Sequence, residues 1–471
     1  MSGSSLKAWK PLISLLPEVK SPSYKVPFAE KVSWTLGVGL AYLVGSQLPL
    51  FLAEPSTTDA LYWLRPAVGG NKGTLLDFGV SSIIVSGFSL QLLVASGHLN
   101  VDFAAREQRA LFGGLQKLVA VGVVIAQALI AVLCGVYGTN LTPFATSMLL
   151  TQLIVAGVLA ILLDEVLQKG YGFGTGHGLF IGAHTTENLI WKTFSFRTFQ
   201  TGRGTEYEGA LVALVQLFIS RKDKFRALKE AFYRGNLPNV FGLIVQVAAL
   251  AIILYFQSTR YELGVQHSLQ RQNVGKYPVK LLYNGAIPLI IVSTAVGLYT
   301  FVSQALFNLF PENLLVRVLG VWKSYDKVPQ RFASSGLAYY LSPARNTVSA
   351  FKDPFQLVIY ASLVIGTTIY LSTLWPEAAG NNAKDVAKGL EVQGLVLPGR
   401  REGSIYKELK ALIPRVSATG GAIIAVVAVV ADVFGPNGSG TAAVILVPSL
   451  YQFFEIIAVQ VQNLPPGEPL Y

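Results

Sequence analysis

Residues 143–167 read PFATSMLLTQLIVAGVLAILLDEVL, with no charged side chain before Asp164. Crossing about 30 Å of hydrocarbon takes roughly 20 apolar residues of helix, so this stretch is a membrane span. Similar stretches lie at Val32–Phe51, Leu75–Ser96, Leu115–Tyr137, Gly174–Trp191, Leu237–Gln257, Ile287–Leu306, Phe355–Trp375, Val416–Phe434 and Thr441–Gln460. The composition agrees: of 471 residues 52% are hydrophobic and only 13% charged, where a soluble chain carries about 25% charged. The chain reads as an integral membrane protein. Gly209–Ser220 is apolar but half the length of a span, and reads as an interfacial or loop-packed segment.

Exposed backbone polar groups are too costly in lipid, so the spans must be helices; the ten-residue alternation of an outer-membrane barrel is absent. The expected fold class is all-α, a polytopic membrane protein of ten transmembrane helices. The long loop after the fifth span divides them into two halves of five. An odd number per half makes any repeat an inverted one, although the halves share no obvious sequence identity.

The net charge is +11, from 37 Lys+Arg against 26 Asp+Glu. On a membrane protein that favours anionic lipid or an anionic partner such as ribosomal RNA. The single cysteine, Cys134, excludes an internal disulfide framework and any Cys-based metal cluster. Met1–Lys31 is broken by Pro and Lys and lacks the apolar core of a cleavable signal. The first span is therefore expected to act as its own insertion signal. With the N-terminus in the cytosol, the cytosolic segments hold 19 Lys+Arg and the outer ones 16. The five lysines before the first span favour that orientation.

No enzymatic constellation emerges. The His177/His184 pair lacks a carboxylate cluster, and GYGFGTGHG lacks both the Lys-Ser/Thr and the preceding strand of a phosphate loop. Cofactor and metal sites are not expected. The glycosylation sequons at Asn140 and Asn437 lie in tight turns against the membrane. Ionisable groups within the spans are scarce; the main candidates are Glu187, Asp432 and Glu455, with Asp164 and Glu165 near an end. Coupled transporters place such groups on the substrate path. Here the favoured roles are helix caps and interhelical bonds, and the pathway is expected to be closed by apolar contact. Leu52–Gly73 contains LYWLR, enough for a short helix with an apolar face, but Glu54, Asp59, Arg65 and Lys72 forbid a span. It reads either as an outer loop helix or as a re-entrant segment inside the bundle.

Several long motifs occur in order and in register: KGTLLDFGVSSIIVSGFSLQLL from Lys72, LLDEVLQKGYGFGTG from Leu162, TGRGTEYEGA from Thr201, KEAFYRGNLPN from Lys229, YPVKLLY from Tyr277, GLAYYLSP from Gly336, AKDVAK from Ala383, and REGSIYKEL from Arg401 with Ile413-Pro414 after it. They resemble the SecY family in its eukaryotic α-subunit form, the channel subunit of the Sec translocon, over roughly Lys7 to Ala458. The resemblance implies a protein-conducting channel of the endoplasmic reticulum that catalyses no covalent chemistry. It passes unfolded secretory polypeptides and releases transmembrane segments sideways into the lipid. Implied partners are the β- and γ-subunits, the ribosome with its RNA, nascent chains, signal sequences, membrane lipids and accessory translocation factors.

The same resemblance implies a division into a cytosolic segment 1–31, an N-terminal half 32–192, a luminal hinge loop 193–236, a C-terminal half 237–460 and a cytosolic tail 461–471. A plug at about 57–71 would present Leu61, Tyr62, Trp63, Leu64 and Arg65 to the pore. The pore ring maps to Val80, Ile84, His177, Ile181, Ile290 and Ile445. Five of these are branched aliphatics suited to a water-repelling gasket; His177 stands where the family has Ile. The polar trio of the lateral gate maps to Val85, Gln127 and Leu298, of which only Gln127 is polar. Ribosome contact falls to Arg271, Arg400 and Arg401. The departures at His177 and the gate fit either the principal channel or a divergent paralogue, such as the auxiliary Sec channel of yeasts, restricted to cotranslational substrates of the signal recognition particle. The rival class is a small-solute secondary transporter with an inverted repeat; a poreless insertase scaffold is a third.

Overall fold

A computed structural model describes residues 9–54, 59–99, 101, 105–138, 141–201, 204–234, 237–267, 274–324, 331–344, 347–396, 404–435 and 439–462. The described chain is mostly helical. The main helices are α1 Phe28–Gln47, α2 Arg65–Val68, α3 Ser81–Ala95, α4 Arg106–Leu133, α5 Pro143–Gln168, α6 Gly176–Phe194, α7 Ala210–Ser220, α8 Lys224–Phe232, α9 Val240–Ser258, α10 Ile287–Leu309, α11 Pro354–Ala378, α12 Ala383–Val392, α13 Ser404–Phe434 and α14 Ser439–Gln462. Among the described residues seven are long and apolar enough to cross a membrane: α4, α5, α9, α10, α11, α13 and α14. Helices α1, α3 and α6 occupy the three remaining stretches read as spans.

Local chemistry sets the helix ends. Thr142 caps α5 by accepting from the Ala145 N–H, and Pro143 fills the first position, where no intrahelical donor is needed. Asn239 caps α9 through the Gly242 N–H at 2.7 Å. Helix α5 stops at Lys169–Gly170, with Gly170 at φ 101°, a conformation open to glycine. Helix α3 begins six residues later than the apolar run that predicts it, because Leu75–Val80 is a chain of turns. Conversely, α13 is longer than the predicted span Val416–Phe434: it begins at Ser404 and continues through Pro414.

The all-α expectation needs one correction. Among the described residues, three small antiparallel sheets occupy the loops: Thr198–Thr201 with Gly204–Tyr207, Arg260–His267 with Val274–Lys280 and Leu395–Val396, and Val321–Ser324 with Arg331–Ser335. The second has a physical signature in the sequence. Tyr261, Leu263 and Val265 alternate with Glu262, Gly264 and Gln266, and Leu263 and Val265 pack on Leu390, Ile405 and Leu409.

Gly209–Ser220 forms α7, packed through Leu217 onto Ala227, Ala231 and Val240. The basic segment after it is helix α8, capped by Asp223. The main core is continuous from Tyr42 on α1 to Ile445 on α14, and it includes Leu61, Leu64, Ala67 and Val68 from the loop between α1 and α3.

Candidate functional site

That loop is folded into the bundle. LYWLR itself forms turns, and the short helix α2 starts at its last residue. Leu61, Leu64, Ala67 and Val68 are almost fully buried, Trp63 is buried against the Phe332 ring at 6.1 Å, and Tyr62 is half-buried. Of the two readings of Leu52–Gly73, the structure takes the one that packs inside the bundle.

Three glycines let the loop approach its neighbours at backbone distance. A Cβ on Gly297 of α10 would sit 2.7 Å from the Leu64 Cα. On Gly79, at φ 52°, it would sit 2.1 Å from the Val68 carbonyl oxygen, and on Gly70, 2.5 Å from that of Asp77. The Tyr42 hydroxyl on α1 donates to the Gly69 carbonyl at 2.8 Å.

Arg65 lies at the centre of this loop. Its guanidinium grips Asp59 with Nε to Oδ2 at 2.6 Å and Nη2 to Oδ1 at 2.9 Å, and pairs with Asp77 at 2.7 Å. Nη1 donates to the carbonyls of Gly70 and Asp77. The other Asp77 oxygen accepts from the Tyr137 hydroxyl at 2.6 Å. Burial alone would lower the Arg65 pKa; Asp59 and Asp77 reverse this and hold it above the ordinary arginine value. The cation is therefore permanent, and it ties α2 to the start of α3. Sequence reading named Arg65 but missed Asp77 and Tyr137.

The residues mapped to a pore ring fall in two groups. Val80, Ile181, Ile290 and Ile445 are buried in one apolar cluster, and Ile84 packs on its edge. The same cluster holds Leu61, Leu64 and Val68. The Val80 N–H donates to the Val68 carbonyl at 2.9 Å, and Gly69 abuts the Ile181 backbone. His177 is outside the cluster. It sits half-buried in the first turn of α6, where Asp164 of α5 accepts from the Gly176 N–H at 2.7 Å and lies within electrostatic reach of the imidazole.

At the mapped gate, Gln127 of α4 is buried and accepts from the Ser81 hydroxyl of α3 at 2.9 Å. Its bond runs between helices and not to its own backbone. Val85 and Leu298 are half-buried, on α3 and on α10, which packs against both α3 and α4. Arg271, Arg400 and Arg401 lie outside the described residues, as do the two sequon asparagines.

The few acids in the spans are engaged in structure. Asp432 caps α14 by accepting from the Thr441 N–H at 3.0 Å. Glu455 pairs with Lys280, Glu165 with Lys117, and Glu187 accepts from Gln47. That leaves little charge at mid-bundle for carrying a coupling ion.

These features define a polytopic membrane protein whose helices close on an apolar centre. The chain belongs to the SecY family, whose model matches residues 74–454. It is 43% identical over 452 residues to the protein transport protein SEC61 subunit alpha of Wickerhamomyces anomalus, a match covering 95% of this chain and 94% of the relative. Its fold is similar to a solved protein-conducting channel, with a TM-score of 0.80 and 26% identity over 97% of this chain and 98% of that one. It is similar also to Sec61 in the canine ribosome–channel complex from the endoplasmic reticulum, at a TM-score of 0.76 and 26% identity, again over 97% and 98%.

Proposed function

We propose that this chain is the channel-forming subunit of a protein translocon in the endoplasmic reticulum membrane. It passes unfolded secretory polypeptides and releases transmembrane segments into the lipid, working mainly with a docked ribosome. The observation that carries the reading is the meeting of Val80, Ile181, Ile290 and Ile445 in one apolar cluster with the folded-back loop. Branched aliphatics make a seal that water wets poorly and that a passing chain can part without breaking hydrogen bonds.

In this reading ten helices, α1, α3–α6, α9–α11, α13 and α14, span the membrane as two inverted halves, 32–192 and 237–460. Residues 193–236 form the hinge loop, and both termini are cytosolic. The loop at 57–71 is the plug. Val80, Ile84, Ile181, Ile290 and Ile445 form the ring, with His177 at its margin. Val85, Gln127 and Leu298 lie at the lateral gate, and Arg271, Arg400 and Arg401 meet the ribosome. β- and γ-subunits complete the complex. The chain performs no covalent chemistry; the driving force comes from the elongating ribosome or from a luminal partner. A solute transporter is disfavoured because Asp432, Glu187 and Glu455 are already engaged.

The test is photocrosslinking of a stalled secretory nascent chain to a photoreactive residue at Ile290, in membranes with the partner subunits assembled. A crosslink that depends on a functional signal sequence supports the reading. Absence of a crosslink despite bound ribosomes overturns it, and the ring assignment with it.

A further inference from the structure

A cavity of about 570 Å³ lies among the Lys10–Glu18 segment, α3, α4 and α5. It reaches α3 at Ile83 and Ser86, a face turned roughly a third of a turn from Val80 and Ile84. Its floor is apolar: Ile83, Leu111, Ala120 and Ile161, all buried. Small residues keep it open, and a Cβ on Gly113 would meet nothing within 4 Å.

The other end is charged in both signs. Lys117 and Glu165 form an ion pair whose side chains are 11% and 15% exposed, beside the buried Asp164. Around them Lys10, Arg109 and Lys169 are matched by Glu18 and Glu107, so the described lining carries four cations and four anions. The Lys10–Glu18 segment is fixed as a wall. Lys169 pairs with Glu18 at 2.6 Å, Lys117 donates to the Pro17 carbonyl, and Gly114 leaves room for Ile13.

We propose that this cavity is a binding site for a zwitterionic amphiphile of the phosphocholine class. An apolar floor under a few convergent polar groups is the usual make-up of a small-molecule site. A lining with no net charge that presents both signs side by side suits a head carrying both, and disfavours a purely anionic one. The apolar body lies against Ile83, Leu111, Ala120 and Ile161, and the head meets the Lys117–Glu165 pair. An occupant so placed braces α3, the helix that carries Val80 and Ile84.

The test uses the full chain, purified with its partner subunits into nanodiscs. A photoreactive phosphatidylcholine and a photoreactive phosphatidic acid are compared, with labelled peptides mapped. The comparison variants are Gly113→Trp, designed to fill the cavity, and Gly122→Trp, on α4 outside the cavity lining, where a Cβ likewise meets nothing within 4 Å. Phosphatidylcholine should label peptides of α4 and residues 9–18, and labelling should fall by about tenfold or more in Gly113→Trp but not in Gly122→Trp. Added soluble phosphocholine lipid should raise the thermal midpoint of the unmodified chain and leave that of Gly113→Trp unmoved. Equal labelling of the two variants overturns the site, and preferential labelling by phosphatidic acid overturns the head-group assignment. If Gly113→Trp fails to assemble, Gly113→Leu replaces it under the same criteria.

Discussion

The Arg65 guanidinium stands 2.7 Å from the Asp77 carboxylate, and that pair joins the folded-back loop to the turns that lead into α3. Asp59 completes the arrangement on the loop side, and Tyr137 on the bundle side. The loop cannot leave the bundle without separating a permanent cation from the Asp77 carboxylate. Removing one member of a buried charge set leaves the others uncompensated, at about 3–5 kcal/mol.

Arg65→Met should therefore destabilise the closed arrangement more than loss of all three charges does. Asp59→Asn/Arg65→Met/Asp77→Asn removes the cation together with the anions it balances. In planar bilayers the single variant should show a large ionic leak and the triple variant a small one. A triple variant as leaky as the single would show that the seal does not depend on charge balance at Arg65.

Gly297 is the second point of closure. Alanine there should favour helix α10 by up to about 1 kcal/mol on intrinsic propensity. Its methyl, however, would press on the Leu64 backbone, which has no flexible end to move aside. Overpacking of that kind costs about 1–3 kcal/mol. Gly297→Ala should raise the leak and expose a cysteine placed at Leu61 to a water-soluble thiol reagent, in a Cys134→Ala background. A helix-stabilising change that leaves both readings untouched would remove Leu64 from the seal.

The spans were legible because apolar length is a property of one segment at a time. Eight of the ten predicted stretches lie within a few residues of their helices or, like Val416–Phe434, inside one; Leu115–Tyr137 starts nine residues inside α4 and runs four past its end. Leu75–Ser96 hides its turns in an apolar run, and the positive φ of Gly73 and Gly79 marks them only in the folded chain. Asp77 was missed for the same reason. It reads as one stray acid in a greasy stretch, and its partner is twelve residues back, across a turn. Gln127 was picked out, but its partner Ser81 lies 46 residues away on another helix. Pairings of that kind exist only once the bundle has formed. The Arg260–Lys280 hairpin is different, since its period-2 pattern lies within a single segment and is legible there.

At the mapped gate, Ser81→Ala would leave the buried Gln127 amide without its donor, at about 1–3 kcal/mol. Leu298→Asn would add a polar group on α10, near that seam. Translocation of a series of signal sequences graded in hydrophobicity should respond to each change by a shifted threshold. An unchanged threshold in both variants would take Gln127 and Leu298 out of gating.

The tether of residues 9–18 should depend on pH in one direction. The hydrogen bond and charge of Lys169 hold the Glu18 carboxyl below the usual carboxylate range. A lowered folded-state pKa adds stability at and above the ordinary value near 4. That stability is lost as pH falls through the lowered value. Protease protection at Leu12–Leu16 should thus be constant from about pH 5 to 8, and Glu18→Gln should lower it across that whole window. A variant protected like the parent at neutral pH would show the segment held by Ile13 and Lys117 alone.

His177 offers the sharpest contrast between family pattern and this chain. The other aliphatic positions of the mapped ring pack together, whereas His177 stands aside, in the first turn of α6, near Asp164. A neutral imidazole can pack at the margin of an apolar constriction. Its ring nitrogens nevertheless bring water that an isoleucine would exclude. His177→Ile should therefore lower the ion leak of the closed channel. Asp164→Asn is the control that separates the two neighbours: it weakens the cap on α6 and leaves the imidazole in place, so it should not lower the leak. A leak unchanged in His177→Ile would leave the imidazole a packing element of α6.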